Sequence, residues 1–324
     1  MKVSLLIPFY NEEKQVPLTL ETVIPILDKT GLDYELIMVD DGSKDRTWEV
    51  IESACRRDLR LTGLRFSRNF GKEAAICAAL DHADSDAVIL MDGDLQHPPQ
   101  YIPEMIRLWQ DGNDIVEGIK STRGKESLAS RLNAKVFYGL FHRFSGYDLR
   151  NASDFKLLDR KVVDEWRRLG EHDTFFRGLS AWLGFKRAAF SFEVAARQTG
   201  GSKWSIGKLA NLSLNALTGF SALPLQFITI IGLIMLAGSV ILAVQTLINW
   251  FSGHADTGFT TVILLQLLIG GSIMLSLGLI GIYIARIFTE VKGRPRYIIA
   301  SDTQSVRTGK PERPIHPDTP DQVP

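Results

Sequence analysis

The chain has 324 residues, room for one large or two ordinary domains, and its 37 basic side chains balance 37 acidic ones, so no excess of positive charge favours nucleic acid as a partner. That zero average conceals a segregation. Between Lys208 and Arg286 the one side chain ionised at neutral pH is Asp256, whereas charge is dense on either side, which describes a polar domain joined to an apolar one.

The first apolar run, Val3 to Pro8, is followed at once by Asn11-Glu12-Glu13 with no small-residue cleavage site, so it reads as a strand and not as a signal peptide. Similar runs follow at Glu35 to Val39, Leu61 to Phe66 and Ala87 to Met91, with a weaker one at Asp114 to Glu117, and stretches of amphipathic helical spacing separate them. Cys55 and Cys77 fall in those helical stretches, outside any CxxC-like cluster, and read as reduced core residues. Continuous apolar strands alternating with helices predict a parallel sheet covered on both faces, a doubly wound, Rossmann-like α/β domain.

Ligands of such sheets sit beyond the carboxyl ends of the strands. The residues there are polar: Asn11-Glu12-Glu13, Asp40-Asp41-Gly42-Ser43, Ser67-Arg68-Asn69 and Asp92-Gly93-Asp94 would converge on one rim. Further along, the pattern predicts an amphipathic helix from Leu128 to Phe144 and strands at Asp154 to Leu158 and Ala188 to Glu193, the second half of the same domain, which ends near residue 204.

Residues 205–222 lack a charge-free length and fit an interfacial amphipathic helix. Two charge-free segments follow, about 223–251 and 257–285, each longer than the ~20 residues that cross a bilayer core. They predict a transmembrane hairpin spanning 223–288, with Trp250, Phe251 and Tyr283 as interfacial aromatics. Lys203 and Lys208 precede the first span and Arg286, Lys292, Arg294 and Arg296 follow the second, while the connector Ser252 to Asp256 has no Lys or Arg; both termini are therefore expected in the cytoplasm, in a multi-pass protein of the inner membrane. A cytoplasmic tail is expected over 289–324; after about Ser301 it is rich in Pro, Asp, Thr and Lys, with disorder expected there.

Asp92 and Asp94 flank a glycine at the end of a buried strand, which puts two carboxylates on one tight turn. Hard oxygen ligands suit Mg²⁺ or Mn²⁺; a solvated turn is the alternative. Asp41 is placed to accept hydrogen bonds from a base or ribose, although Ser43 and Asp45 precede the next helix and suit its capping. No GxGxxG follows the first strand and no GxxxxGK[ST] occurs anywhere, which removes the dinucleotide and P-loop readings. His97 adjoins the acidic turn, but these cations prefer oxygen, and it is expected to pack or to donate or accept a supporting hydrogen bond.

Ile7-Pro8-Phe9-Tyr10-Asn11-Glu12-Glu13, Val39-Asp40-Asp41-Gly42-Ser43, Arg68-Asn69-Phe70-Gly71-Lys72 and Met91-Asp92-Gly93-Asp94-Leu95-Gln96-His97-Pro98-Pro99 resemble the family 2 glycosyltransferases of the GT-A fold. More narrowly, over about residues 1–300, the chain is similar to the polyprenyl-phosphate glycosyltransferases, which include dolichyl-phosphate mannose synthase and the bactoprenol glucosyltransferases. The resemblance implies a GT-A mixed sheet. It implies that Pro8, Tyr10, Glu12 and Asp41 line the nucleotide pocket of the donor, and that Asp92, Asp94 and Gln96 hold the metal and the donor diphosphate; Lys72 is read either as a further nucleotide-binding residue that steadies the donor site or as the start of a helix. Asn151-Ala152-Ser153-Asp154-Phe155-Lys156-Leu157 matches an acceptor-side Asp-Phe-Arg-Leu pattern, with Lys156 in place of arginine, and Asp94, Asp154 and Lys156 are the catalytic candidates. Arg197, Ser202 and Lys203 resemble a phosphate-facing Arg-x-x-Gly-x-Ser-Lys segment and, with Arg123, are expected to meet lipid phosphate.

The activity so implied is inverting transfer of one sugar from a nucleotide diphosphate, UDP-glucose or a related UDP-sugar, to undecaprenyl phosphate. A flippase and a periplasmic glycosyltransferase would act downstream. Asp154 is expected to orient the acceptor, because a phosphate monoester with a second pKa near ~6 is already a nucleophile at neutral pH. A processive polysaccharide synthase would carry a Gln-x-x-Arg-Trp motif and more spans, and a non-catalytic nucleotide sensor would not need metal and acceptor motifs together. Gly270, Gly271, Gly278 and Gly281 offer a small-residue face for homo-oligomerisation or for packing the spans against each other.

Overall fold

A computed structural model of the protein describes residues 1–120, 152–169, 171, 176–193, 223–252 and 258–304. In chain order the elements are β1 (Lys2–Phe9), α1 (Gln15–Asp28), β2 (Asp33–Asp40), α2 (Thr47–Arg57), β3 (Leu61–Phe66), α3 (Lys72–His82), β4 (Ala87–Leu90), a 3-10 turn (Pro99–Tyr101) leading into α4 (Ile102–Gln110), β5 (Ile115–Lys120), β6 (Ala152–Asp159), α5 (Arg160–Arg168), α6 (Phe176–Trp182), β7 (Arg187–Phe192), α7 (Leu223–Phe251), α8 (Phe259–Val291) and β8 (Ile299–Asp302).

The eight strands form one sheet in the order β7-β5-β6-β4-β1-β2-β3-β8. The parallel sheet that the apolar runs predict is found in its centre, where β4, β1, β2 and β3 all run the same way. Strand β6 runs against both β4 and β5, and β8 against β3, so the sheet is mixed, as the GT-A resemblance implies. Leu5, Ile7, Leu36, Met38 and Ile89 are buried on one face beneath Val16 and Val23 of α1, Ile51 and Cys55 of α2 and Met105 of α4. Helix α3 has six consecutive buried residues, Ala75 to Leu80, including Cys77, and both cysteines are buried thiols. Burial on both faces is why the central strands read as unbroken apolar runs.

The C-terminal part departs from the sequence expectation. Beyond α8 the chain joins the sheet as β8, so that Ser301 and Asp302 are paired in a strand where disorder was expected from about Ser301. The amide of Gly63 donates to Thr303 Oγ1 (2.9 Å), that of Ser67 to the Ile298 carbonyl (3.0 Å), and Tyr297 stacks on Phe66 at 5.2 Å while its hydroxyl donates to Asp81 (2.8 Å). The physical reason is the edge of β3, whose unpaired backbone groups take up a short strand that carries no strong signal of its own. Residues 305–324, the segment 205–222 expected at the interface and the stretch 128–144 expected to be helical lie outside the described residues.

The chain divides into two compact units, one built on the sheet and one on α7 and α8. Ile228–Asn249 and Leu265–Val291 are long and apolar enough to cross a membrane. Side chains such as Ile241 (67% exposed) and Met274 (70%) present apolar surface that a water-soluble domain would cover. Helix α8 runs six residues past the expected end of the second span, and stops at Gly293, whose φ of +56° makes a left-handed helix cap. A Cβ at Gly270, Gly271, Gly278 or Gly281 would meet nothing within 4 Å among the described residues, so these glycines are not needed for close packing there.

Candidate active site

The rim begins with two laced loops. After β1, Asn11 takes a left-handed backbone (φ +53°); its amide donates to Ser43 Oγ (2.8 Å) and its side-chain oxygen accepts from the Lys44 amide (2.8 Å). The Glu12 amide donates to Thr47 Oγ1 (2.8 Å). Strain of this kind in a non-glycine residue persists where the surroundings over-determine it. Pro8 and Glu12 are partly buried here and Tyr10 is 41% exposed.

At the end of β2, Asp40 and Asp41 have separate tasks. Asp40 is fully buried, accepts from the Ser43 amide (2.9 Å) and lies 3.5 Å from Arg65; burial pushes its carboxyl above the usual range. Asp41 accepts from Asn69 Nδ2 (2.9 Å) and from the amides of Phe70 (2.7 Å) and Gly71 (3.0 Å), and so fixes the loop between β3 and α3. Its carboxyl too is pushed up, chiefly by burial, against the pull of those amides. Gly42 must be glycine: its φ is +65°, and a Cβ would lie 2.4 Å from the Arg68 carbonyl carbon.

The turn after β4 carries Asp92 and Asp94. A Cβ on Gly93 would lie 2.4 Å from Phe9 Cε1, and Leu95 is held at φ +58°, so the two carboxylates stand on a turn pressed against the sheet. The Gln96 amide donates to Asp94 Oδ1 (3.1 Å) and the Asp92 amide to His97 Nδ1 (3.1 Å). His97 is 3% exposed and stacks on Phe155 (5.2 Å, 6° between planes) with Phe192 at its edge, the packing and supporting bond expected of it. Among the described residues no three His, Cys, Asp or Glu side chains form a metal-binding group. Two carboxylates and an amide oxygen on one turn nevertheless fit Mg²⁺ or Mn²⁺ of the kind that takes its remaining ligands from substrate phosphates.

The β4 turn and β6 meet through Lys72. Its ammonium lies 2.5 Å from Asp92 Oδ1 and 2.7 Å from Asp154 Oδ2. Arg177, at the start of α6, grips the same Asp154 with Nε on Oδ1 (2.7 Å) and an Nη on Oδ2 (2.9 Å). Asp154 is 5% exposed; burial opposes its charge, but Lys72 and then Arg177 outweigh that and hold its carboxyl well below the usual range. For Lys72, desolvation likewise works against the charge, yet Asp92 and then Asp154 prevail and its ammonium is held above the ordinary lysine value. Next to it, Glu73 accepts from the Phe176 amide (2.9 Å) and is pushed up to about 7 by burial first and then by the charge of Asp154.

Lys156 lies two residues along β6, on the same strand face as Asp154. It is 1% exposed, with its ammonium 2.9 Å from Glu117 Oε1 and 2.7 Å from Ser180 Oγ, beneath the Phe176 ring. A catalytic role was expected for Lys156; the structure gives it an internal ion pair, and burial lowers its ammonium pKa against the pull of Glu117. The rim therefore brings Asp92, Asp154 and Lys72 together and sets Lys156 behind them. Arg123, Arg197, Ser202 and Lys203 lie outside the described residues. Sequence reading missed Arg177 and Glu73. The first sits in no recognisable motif, and the second is in the segment after Gly71-Lys72 where a helix start accounts for it equally well.

A mixed sheet of this order, with an Asp-Gly-Asp turn at its carboxyl rim and an antiparallel strand bringing a further carboxylate to it, defines a GT-A-like catalytic domain. The model of glycosyl transferase family 2 matches residues 4–167, and the chain belongs to that family. It is 37% identical to the SfII prophage-derived bactoprenol glucosyl transferase of Shigella flexneri, over 92% of this chain and 97% of that one. It is also 37% identical to an uncharacterized glycosyltransferase, YkcC, of Bacillus subtilis, over 92% and 93%. Glucosyl-3-phosphoglycerate synthase from Mycobacterium tuberculosis, solved with Mn²⁺, UDP-glucose and phosphoglyceric acid, is 21% identical with a TM-score of 0.45, covering 66% of this chain and 76% of that one, a likeness too remote to carry a ligand across.

Proposed function

We propose that the protein transfers one sugar from UDP-glucose or a related UDP-sugar to undecaprenyl phosphate at the cytoplasmic face of the inner membrane. The product is a glycosyl-phosphoryl-polyprenol for modification of cell-envelope glycans. The observation that carries this reading is the Lys72 bridge, which ties the acidic turn of the donor side to Asp154 of the acceptor side. Relatives named bactoprenol glucosyl transferase, similar along nearly the whole chain, and two helices able to cross a membrane support a polyprenyl acceptor.

In this reading a phosphate oxygen of the acceptor attacks the anomeric carbon as its bond to the UDP oxygen breaks, so the configuration inverts. The acceptor is already dianionic near neutral pH and needs placement rather than deprotonation. Asp154, held ionised by two cations, is a weak base, and we assign it to orientation. Pro8, Tyr10, Glu12 and Asp41 flank the nucleotide. Asp94, Gln96 and Asp92 would hold a Mg²⁺ or Mn²⁺ ion, which offsets the diphosphate charge when bound. Lys72 and Arg177 offer positive charge where two anionic substrates must approach each other, and Arg123, Arg197, Ser202 and Lys203 are assigned to the lipid phosphate.

The test is UDP release by the purified full chain with Mg²⁺ or Mn²⁺. We expect release that depends on added undecaprenyl phosphate and is lost in Asp94→Ala. Equal release without the lipid refutes the acceptor, and full activity of the variant refutes the metal assignment.

A further inference from the structure

Two neighbouring residues on α3 and two on α6 close a ring around Asp154. Lys72 and Arg177 both hold its carboxylate, and Glu73 accepts from the amide of Phe176, the residue before Arg177. Glu73 therefore fixes the start of α6 at the point from which Arg177 reaches Asp154. It also changes the charge count. Lys72 and Arg177 balance Asp92 and Asp154, and an ionised Glu73 adds a third carboxylate to that balance; among the described residues the charges that act on it most strongly are Asp154 on β6, Lys72 on its own helix and Arg177 on α6.

We propose that Glu73 is a positioning residue of the active site, whose carboxyl holds the Phe176 amide in both protonation states and, by gaining or losing its charge, sets how strongly Lys72 and Arg177 attract substrate phosphate. When protonated, Glu73 still accepts from the amide through its carbonyl oxygen, and the two cations face two carboxylates. When ionised, it leaves the cluster with an excess negative charge. Burial and the Asp154 charge place this change near pH 7, within the range where the protein would work.

The assignment deepens the proposed transfer reaction, but its test needs neither sugar nor lipid. UDP binding to the full chain in detergent, without added metal, is measured calorimetrically on both sides of neutrality for the wild type, Glu73→Gln and Glu73→Ala. The ionisation of UDP itself is common to all three. Relative to Glu73→Gln, the wild type should lose about fivefold in affinity as pH rises from about 6 to about 8, the effect of one charge several ångströms away through a dielectric between those of protein and water. Glu73→Gln keeps the acceptor for Phe176 and should bind as the protonated wild type does, whereas Glu73→Ala should bind more weakly at every pH because α6 loses its anchor.

Thermal unfolding supplies a second readout. A carboxyl raised on folding lets the folded state bind the extra proton, so the wild type should lose stability as pH rises from the ordinary carboxylate range to about 7, and Glu73→Gln should not. Parallel pH profiles of the wild type and Glu73→Gln in either measurement overturn the proposal. If both hold and no polyprenyl phosphate supports turnover, the acceptor assignment fails and the role of Glu73 stands.

Discussion

Replacing Lys156 with methionine separates a catalytic lysine from a structural one. The side chain is 1% exposed and its ammonium sits 2.9 Å from Glu117, a carboxylate whose side chain is only 14% exposed, with Arg187 next at 4.0 Å. Methionine fills much the same volume but strands the Glu117 charge. Breaking a buried pair on one side costs about 3–5 kcal/mol, and the remaining Arg187 contact argues for the lower end, about 3 kcal/mol. For a sheet domain of roughly 200 residues this corresponds to a fall of about 6–12 °C in Tm, at about 2–4 °C per kcal/mol. In Lys156→Met/Glu117→Leu both charges are gone, and most of the lost Tm should return, because a buried pair replaced by apolar groups is often neutral or stabilising. Turnover should follow stability and recover in the double variant. A single variant with unchanged Tm refutes the buried-pair argument, and a stable double variant without activity returns Lys156 to the catalytic machinery.

Gly93→Ala should combine about 1–3 kcal/mol of overpacking against Phe9 with a loss of activity on the order of 10²-fold, since a shift near 1 Å in the turn carrying Asp92 and Asp94 is enough; circular dichroism melting and UDP release would measure both. Tyr297→Phe removes the hydroxyl bond to Asp81 and should cost about 1 kcal/mol, read as a small fall in Tm, with UDP affinity unchanged. In a Glu73→Gln background, which removes the titration that the Asp154 charge helps to set, Asp154→Asn should change stability by an amount independent of pH from mildly acidic to neutral conditions: a carboxyl held low on folding contributes fully above its unfolded pKa and loses that contribution as pH falls from there through the folded value, in strong acid. In that background a difference that titrates near neutrality would contradict the two-cation cage.

The strand ends were legible in the sequence because each buried strand is an apolar run, and a run that stops abruptly at Asn11, Asp40 or Asp92 marks the rim where the chain leaves the core. The two apolar helices were legible for a similar reason, since an uncharged run long enough to cross a bilayer is hard to bury all round in a domain of this size. Local pattern thus determined the strands, the acidic turn and the two long apolar helices. Only the tertiary structure decided which charges meet. Lys72 reaches Asp92 and Asp154 across 20 and 82 residues of chain, Arg177 closes on Asp154 from a short helix without a motif, and Lys156 is drawn inward to Glu117 by the pairing of β5 with β6. β8 belongs with these, because its place depends on the open edge of β3 more than on its own four residues. Hydrophobic periodicity is written locally along the chain, whereas the pairing of charges depends on how distant strands and helix ends are brought side by side, and a single sequence does not encode that in any spacing that can be read.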